Sequence, residues 1–152
     1  MLNIIDYSEE NKIFIKKLNV EWLEKYFAVE PNDEKQLSNP KEEIIDKGGM
    51  IFYAQYKDTI VGCAALMKID EKTYELSKMA VTATHQGLGI GRKLIEHCLE
   101  IAQKQNIEKL ILYSNTKLET AIEMYRKYGF KEISFESTHY KRANIKMELS
   151  LK

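Results

Sequence analysis

The chain has few covalent or local restraints: its 152 residues include two cysteines, two prolines and one tryptophan. Cys63 and Cys98 stand far apart and neither belongs to a CxxC pair, which argues against a disulfide framework or a cysteine-built metal site. Net charge is missing too. Lys+Arg and Asp+Glu each number 23, so no long-range field draws the protein to nucleic acid or to an anionic membrane. No apolar run approaches the roughly 18 residues that a membrane-spanning helix requires. Met1-Leu2-Asn3-Ile4-Ile5-Asp6 lacks the basic start and long apolar core of a secretory leader. These absences predict a reduced, cytoplasmic protein, one domain over residues 1–152, with no metal.

Apolar residues supply the positive signals. Leu2–Tyr7 reads as a first strand, and Ser8 as the cap of a helix reaching about Phe27, with Phe14, Leu18 and Trp22 on one face. Pro31 reads as an interruption. Asn39-Pro40 reads as the start of a short helix, Lys41–Lys47, that stops at Gly48-Gly49. Met50–Tyr56 and Thr59–Ile69 form a hairpin around Lys57-Asp58, and Asp70-Glu71-Lys72 turns into a third antiparallel strand, Tyr74–Val81. Leu94, Ile95, Cys98, Leu99 and Ala102 recur at helical spacing. Lys109–Ser114 reads as a buried strand, Leu118–Tyr128 as a helix ended by Gly129, and Phe130–Ser137 and Ala143–Leu151 as closing strands. The pattern is α+β, with a largely antiparallel sheet and one βαβ crossover, Tyr74–Ser114, that introduces parallel pairing.

The strand-to-helix junction of that crossover is Gln86-Gly87-Leu88-Gly89-Ile90-Gly91-Arg92-Lys93. Alternating glycines let the backbone curl at the helix start with its N–H groups outward. The helix dipole adds roughly half a positive charge there, beside Arg92 and Lys93, so the site suits a phosphate or diphosphate. A Walker loop needs GxxxxGK[ST], which is missing. A dinucleotide fingerprint needs GxGxxG, but Arg92 stands where the third glycine should follow Gly89. The match that remains is Gln-x-x-Gly-x-Gly, from Gln86, Gly89 and Gly91.

With Met79-Ala80-Val81 and Thr82-Ala83-Thr84-His85 ahead of it, this junction resembles the signature of the GNAT superfamily of acyl-CoA-dependent N-acetyltransferases. A second family element, an Ala-x-x-x-Tyr helix running into Gly-Phe, is matched by Ala121, Tyr125 and Gly129-Phe130. The resemblance spans essentially the whole chain. It implies a mixed, mostly antiparallel sheet of about six to seven strands flanked by about four helices, with acetyl-CoA in a gap beside Tyr74–Val81. Backbone groups of Met79, Ala80 and Val81 would pair with the pantetheine arm as an added strand pairs with an edge. Gln86 and the amides of Gly87, Leu88, Gly89, Ile90, Gly91 and Arg92, with the charge of Lys93, would hold the diphosphate. Where the family often carries an asparagine this chain has Leu118, and Asn115 is the substitute for that polar contact.

Family members move acetyl directly from the thioester to an amine in a ternary complex. The implied acceptor is a primary amine on a small molecule or a peptide or protein. An alkyl ammonium near pKa ~10 needs roughly 4 kcal/mol to lose its proton at neutral pH. Glu75, opening the central strand, is the leading base, although an ordinary strand carboxylate would look the same; His139 and Glu30 are weaker alternatives. Tyr125 resembles the tyrosine assigned to protonate the departing thiolate. Trp22, Tyr26 and Phe27, with Tyr140 and Arg142, are candidates for the acceptor side. His85 neighbours the phosphate loop, and His97 is expected to face solvent. A non-catalytic acyl-CoA-binding sensor is the different-class alternative. Homodimers are common among relatives, and a homodimer is compatible with this reading.

Overall fold

The computed structural model describes residues 2–135 and 140–152. Its strands are β1 (Leu2–Asp6), β2 (Met50–Tyr56), β3 (Thr59–Lys68), β4 (Thr73–Val81), β5 (Lys109–Ser114), β6 (Lys131–Ile133) and β7 (Ile145–Ser150). They form one seven-stranded sheet in the order β1-β2-β3-β4-β5-β7-β6. Every neighbouring pair is antiparallel except β4 with β5, which are joined through helix α3, Ile90–Lys104.

Side chains on a strand alternate between faces, and the core divides accordingly. Ile51 and Tyr53 pack with Ile15, Leu18 and Leu23 of α1 (Ile13–Tyr26) and Leu37 of α2 (Pro31–Ser38). Phe52 and Ala54 point the other way, against Leu94, Ile95, Cys98 and Ala102 of α3 and Ile122 of α4 (Glu119–Lys127). The sheet is therefore buried on both faces.

One irregularity decides what this fold can do. Cys63 of β3 stands opposite Ala80, yet Ala65 stands opposite Ser77, so β4 carries an extra residue between them. Lys78 lies in that bulge with φ 54°, in the left-handed region. A bulge bends its strand and increases the local twist. Pairing between β4 and β5 runs only from Thr73↔Lys109 to Glu75↔Ile111. β5 keeps company with β7 as far as Ser114↔Ile145. The two strands thus part after Glu75 and open a gap in the sheet.

Four expectations are corrected. Pro31 opens α2 instead of interrupting the chain: it occupies the first turn, where a missing N–H costs nothing. The Asp33 carboxylate accepts a hydrogen bond from the Glu30 amide at 3.0 Å, closing that helix start. Asn39 ends α2 rather than capping the next helix, its side chain donating to the Lys35 carbonyl at 3.0 Å. The following Lys41–Ile45 segment is one wide turn, with Asp46 N–H bonded to the Lys41 carbonyl at 2.7 Å. The Phe130–Ser137 strand is shorter than expected, Lys131–Ile133, and its last two expected positions, Glu136 and Ser137, lie outside the described residues. His97 does not simply face water; its ring stands edge-on to Phe52 at 4.6 Å.

The β2–β3 hairpin turns through Lys57 (φ 49°) and Asp58 (φ 65°), both left-handed. Asn-Gly suits such a turn better than Lys-Asp. Replacing Lys57 and Asp58 together by Asn and Gly is expected to raise stability by about 1 kcal/mol. Urea unfolding measures it, and an unchanged or lower midpoint would contradict the strain assigned to this turn.

Candidate active site

The glycine-rich junction forms as its sequence suggests. Gly87 and Gly89 have φ 83° and 78°, and α3 begins at Ile90 with Gly89 as its cap. Nothing lies within 4 Å of a Cβ built on Gly87, so this backbone faces open space. The Lys93 amide is bonded to the Gly89 carbonyl at 3.1 Å, while the amides ahead of it, Ile90 to Arg92, have no carbonyl within the helix to bond. Arg92 and Lys93 are exposed beside them, and Leu88 is exposed between the two glycines. The Ile90 side chain is buried in the core, which leaves only its backbone for a ligand.

Neighbouring elements brace this loop. Glu21 of α1 accepts from the Thr82 hydroxyl at 3.0 Å and from the Ala83 amide at 2.8 Å. Gln86 donates from its side chain to the Val81 carbonyl at 3.1 Å, tying the loop to the end of β4. A Cβ on Gly91 would lie 3.8 Å from Met124 of α4 and 4.0 Å from Val81, so α3, α4 and β4 converge here. His85 rests its ring against Tyr56 and shares a hydrogen bond with the Thr84 hydroxyl.

Along β4 the Thr82 amide donates to the Val61 carbonyl at 2.9 Å, and Ala80 sits opposite Cys63. Since backbone groups alternate in direction along an antiparallel strand, Ala80 is turned towards β3 while Met79 and Val81 face the gap. Of the three expected residues, Met79 and Val81 thus present their backbone to the gap, and Gln86 occupies the Val81 carbonyl. Asn115 is also otherwise engaged. Its amide donates to the Arg142 carbonyl at 2.7 Å and its oxygen accepts from the Lys117 amide at 2.8 Å, so it closes a turn and ties β5 to the segment before β7.

Tyr125 projects from α4, with its ring edge-on to Phe130 at 5.9 Å. Burial pushes its phenol up to about 12, and the nearby Cys98 thiol acts in the same direction. The chain's two thiols are themselves buried, and burial pushes both Cys63 and Cys98 up to about 12.

On the opposite face Glu75 is 6% exposed and accepts from the Tyr140 hydroxyl at 3.0 Å. Tyr140 also lies 3.5 Å from the Ser77 hydroxyl. Behind them is a buried ionic cluster that the sequence reading missed. Asp33 receives both nitrogens of the Arg142 fork, at 2.6 and 3.0 Å, and the Lys78 ammonium at 3.4 Å. Glu30, one of the alternative bases, is occupied by the amides of Lys141 and Arg142 and by the Arg142 guanidinium. His139, the other, lies outside the described residues. Asn19 of α1 and the Cys63 thiol both donate to the Lys78 carbonyl, each at 3.2 Å, satisfying the carbonyl at the bulge. Arg142 stacks at 5.9 Å from the Trp22 ring, and Trp22 meets Phe27 edge-on; Tyr26 is half exposed. Of the two residues new to the site, Lys78 carried a sequence signal: it is a charge at a position of β4 where the alternation of Tyr74, Leu76 and Ala80 calls for an apolar side chain.

Burial pushes the Lys78 ammonium down, and Arg142 adds to this, against the opposing pull of Asp33 and Glu75. Burial alone would raise the Asp33 carboxyl. Hydrogen bonds from Arg142 and the Glu30 amide, with the charges of Lys78 and Arg142, outweigh it and hold the carboxyl below its ordinary range. A carboxyl lowered by folding stabilises the fold above its unfolded value, ~3.9, and loses that contribution as pH falls through the folded value. Asp33→Asn is expected to cost about 3 kcal/mol at pH 7 by leaving the buried Lys78 ammonium without its ion-pair partner. The difference from the parent protein should narrow below pH ~4. Urea unfolding at pH 7 and pH 3 checks both; an equal gap at the two values would refute the assignment.

Comparison with known proteins agrees with this architecture. A model of the acetyltransferase (GNAT) family matches residues 14–130, and the chain belongs to that family. Among individual proteins it is 28% identical over 142 residues to N-alpha-acetyltransferase 50 of Danio rerio, covering 90% of this chain and 79% of the relative. A GNAT-family acetyltransferase from Staphylococcus aureus superimposes over 100% of both chains with TM-score 0.88 and 25% identity. PaiA N-acetyltransferase from Thermoplasma acidophilum, solved in complex with coenzyme A, shares the fold over 99% of each chain at TM-score 0.76 and 19% identity. No helix among the described residues is long and apolar enough to cross a membrane.

Proposed function

We propose that the protein is an acetyl-CoA-dependent N-acetyltransferase, a single domain over residues 1–152 that acetylates a primary amine by direct attack in a ternary complex. One observation carries the reading: the sheet parts beside Glu75 on the same strand whose far end abuts the open, amide-lined start of α3. The free amides of Ile90 to Arg92, the unobstructed backbone at Gly87 and the exposed Arg92 and Lys93 fit a diphosphate. The gap-facing backbone of Met79 and Val81 suits an extended amide-bearing arm. The relatives named as N-acetyltransferases support the same donor and the same bond formed.

Each side chain then has a defined task. Glu75 takes a proton from the incoming ammonium, a step needing roughly 4 kcal/mol for an ordinary amine at neutral pH. The Met79 amide faces the carbonyl oxygen as charge builds on it, and one such donor is worth roughly 3 kcal/mol. Tyr125 receives the departing sulfur. With its phenol at about 12 and an ordinary thiol near ~8.5, complete transfer runs uphill by about 5 kcal/mol. Tyr125 therefore stabilises the thiolate chiefly as a hydrogen-bond donor, more weakly acidic than an unburied tyrosine.

The test is acceptor-dependent release of free thiol from acetyl-CoA across a panel of amines containing small metabolites, amino acids and peptides with free N-termini. Tyr125→Phe is expected to slow turnover on the responding amine by about 10²-fold while leaving the thermal shift caused by coenzyme A nearly intact. Unchanged turnover would remove Tyr125 from the reaction. Thermal stabilisation by coenzyme A without release on any amine would favour the acyl-CoA sensor.

A further inference from the structure

Three stretches distant in sequence meet behind Glu75: Glu30 and Asp33 at the start of α2, Lys78 at the bulge of β4, and Tyr140–Arg142 ahead of β7. Their meeting point is ionic where an apolar one would fold as well. Buried ion pairs are inefficient stabilisers, because desolvating two charges roughly cancels their attraction. Asp33 is fully buried and uses both oxygens, receiving the Arg142 fork, the Lys78 ammonium and the Glu30 amide. Glu30 pins the backbone on the other side, accepting from the amides of Lys141 and Arg142 at 2.9 and 3.2 Å. The residue immediately before this pinned pair is Tyr140. The Lys78 ammonium lies 5.2 Å from the centre of its ring and the Arg142 guanidinium 4.9 Å. Its hydroxyl reaches Glu75 at 3.0 Å.

We propose that Asp33, Lys78 and Arg142 form a clamp that holds Tyr140 on Glu75 and so fixes the direction in which that carboxylate receives the acceptor's proton. Tyr140 and Arg142 are positioning residues: they act through Glu75. The inference rests on the reading of Glu75 as the base. Proton transfer is sensitive to placement, and a displacement of about 1 Å caused from a distance can cost up to 10²-fold in rate.

A double-mutant cycle on Tyr140→Phe and Arg142→Lys, with Glu75→Gln alongside, tests this on the amine found by the panel. Tyr140→Phe keeps the ring between the cations and removes only the hydroxyl. Arg142→Lys keeps the charge and removes the fork. Each is expected to lower kcat roughly tenfold with the KM for acetyl-CoA unchanged, and the double variant to lose no more than the weaker single one, because both act along one path. Losses that multiply in the double variant, or a parental kcat in Tyr140→Phe, overturn the clamp. If Arg142→Lys fails to fold, Tyr140→Phe alone decides through its split between kcat and KM. A Glu75→Gln variant of full activity removes the underlying reading and the clamp with it, as does a parent protein that releases thiol with no amine. An inactive Glu75→Gln beside multiplying losses removes the clamp alone.

Discussion

The extra residue in β4 is the constraint on which the rest depends. A regular strand would have continued alongside β5 beyond Glu75, and the sheet would have been continuous. With Lys78 in a left-handed conformation, the strand bends and its last residues part from β5. The bulge leaves a carbonyl without a ladder partner, and the fold meets that need from two sides, with Asn19 from α1 and the Cys63 thiol from β3. It also sends a lysine side chain into the interior, which requires Asp33 as its counter-charge. One backbone irregularity thus creates the gap, recruits α1 and α2 to that face, and sets the electrostatics around Glu75.

The two ends of the gap are built on different principles. At the α3 end the protein offers backbone: glycines with positive φ, helix amides without partners within the helix, and Arg92 and Lys93 as exposed charge. Backbone amides cost little to orient because the helix already orients them. At the Glu75 end the groups are side chains, and each is fixed by at least one neighbour from another element.

Much of this was legible in the sequence, for physical reasons that differ by element. The hairpin at Lys57-Asp58, the crossover and the helix over Leu94–Ala102 follow from period and from turn chemistry, which are local. The glycine loop ahead of α3 follows from glycines whose spacing fits a single kind of backbone. The proline ahead of α2 is ambiguous in sequence, since proline breaks a helix interior yet starts a helix from its first turn, as Pro31 does. Ala80 is turned towards β3 and Asn115 is bonded within its own turn, features set by tertiary structure that no local pattern shows. Asp33 and Glu21 were invisible for a related reason: their partners stand 109 and 61 residues away. Lys78 alone carried a usable signal, a charge where the strand pattern demands an apolar residue.

The burial of the two cysteines has a practical meaning for a protein whose product is a free thiol. Released coenzyme A meets neither Cys63 nor Cys98 as an accessible thiolate, since both are enclosed and remain protonated at neutral pH. Mixed disulfides between the carrier and its own catalyst are disfavoured accordingly.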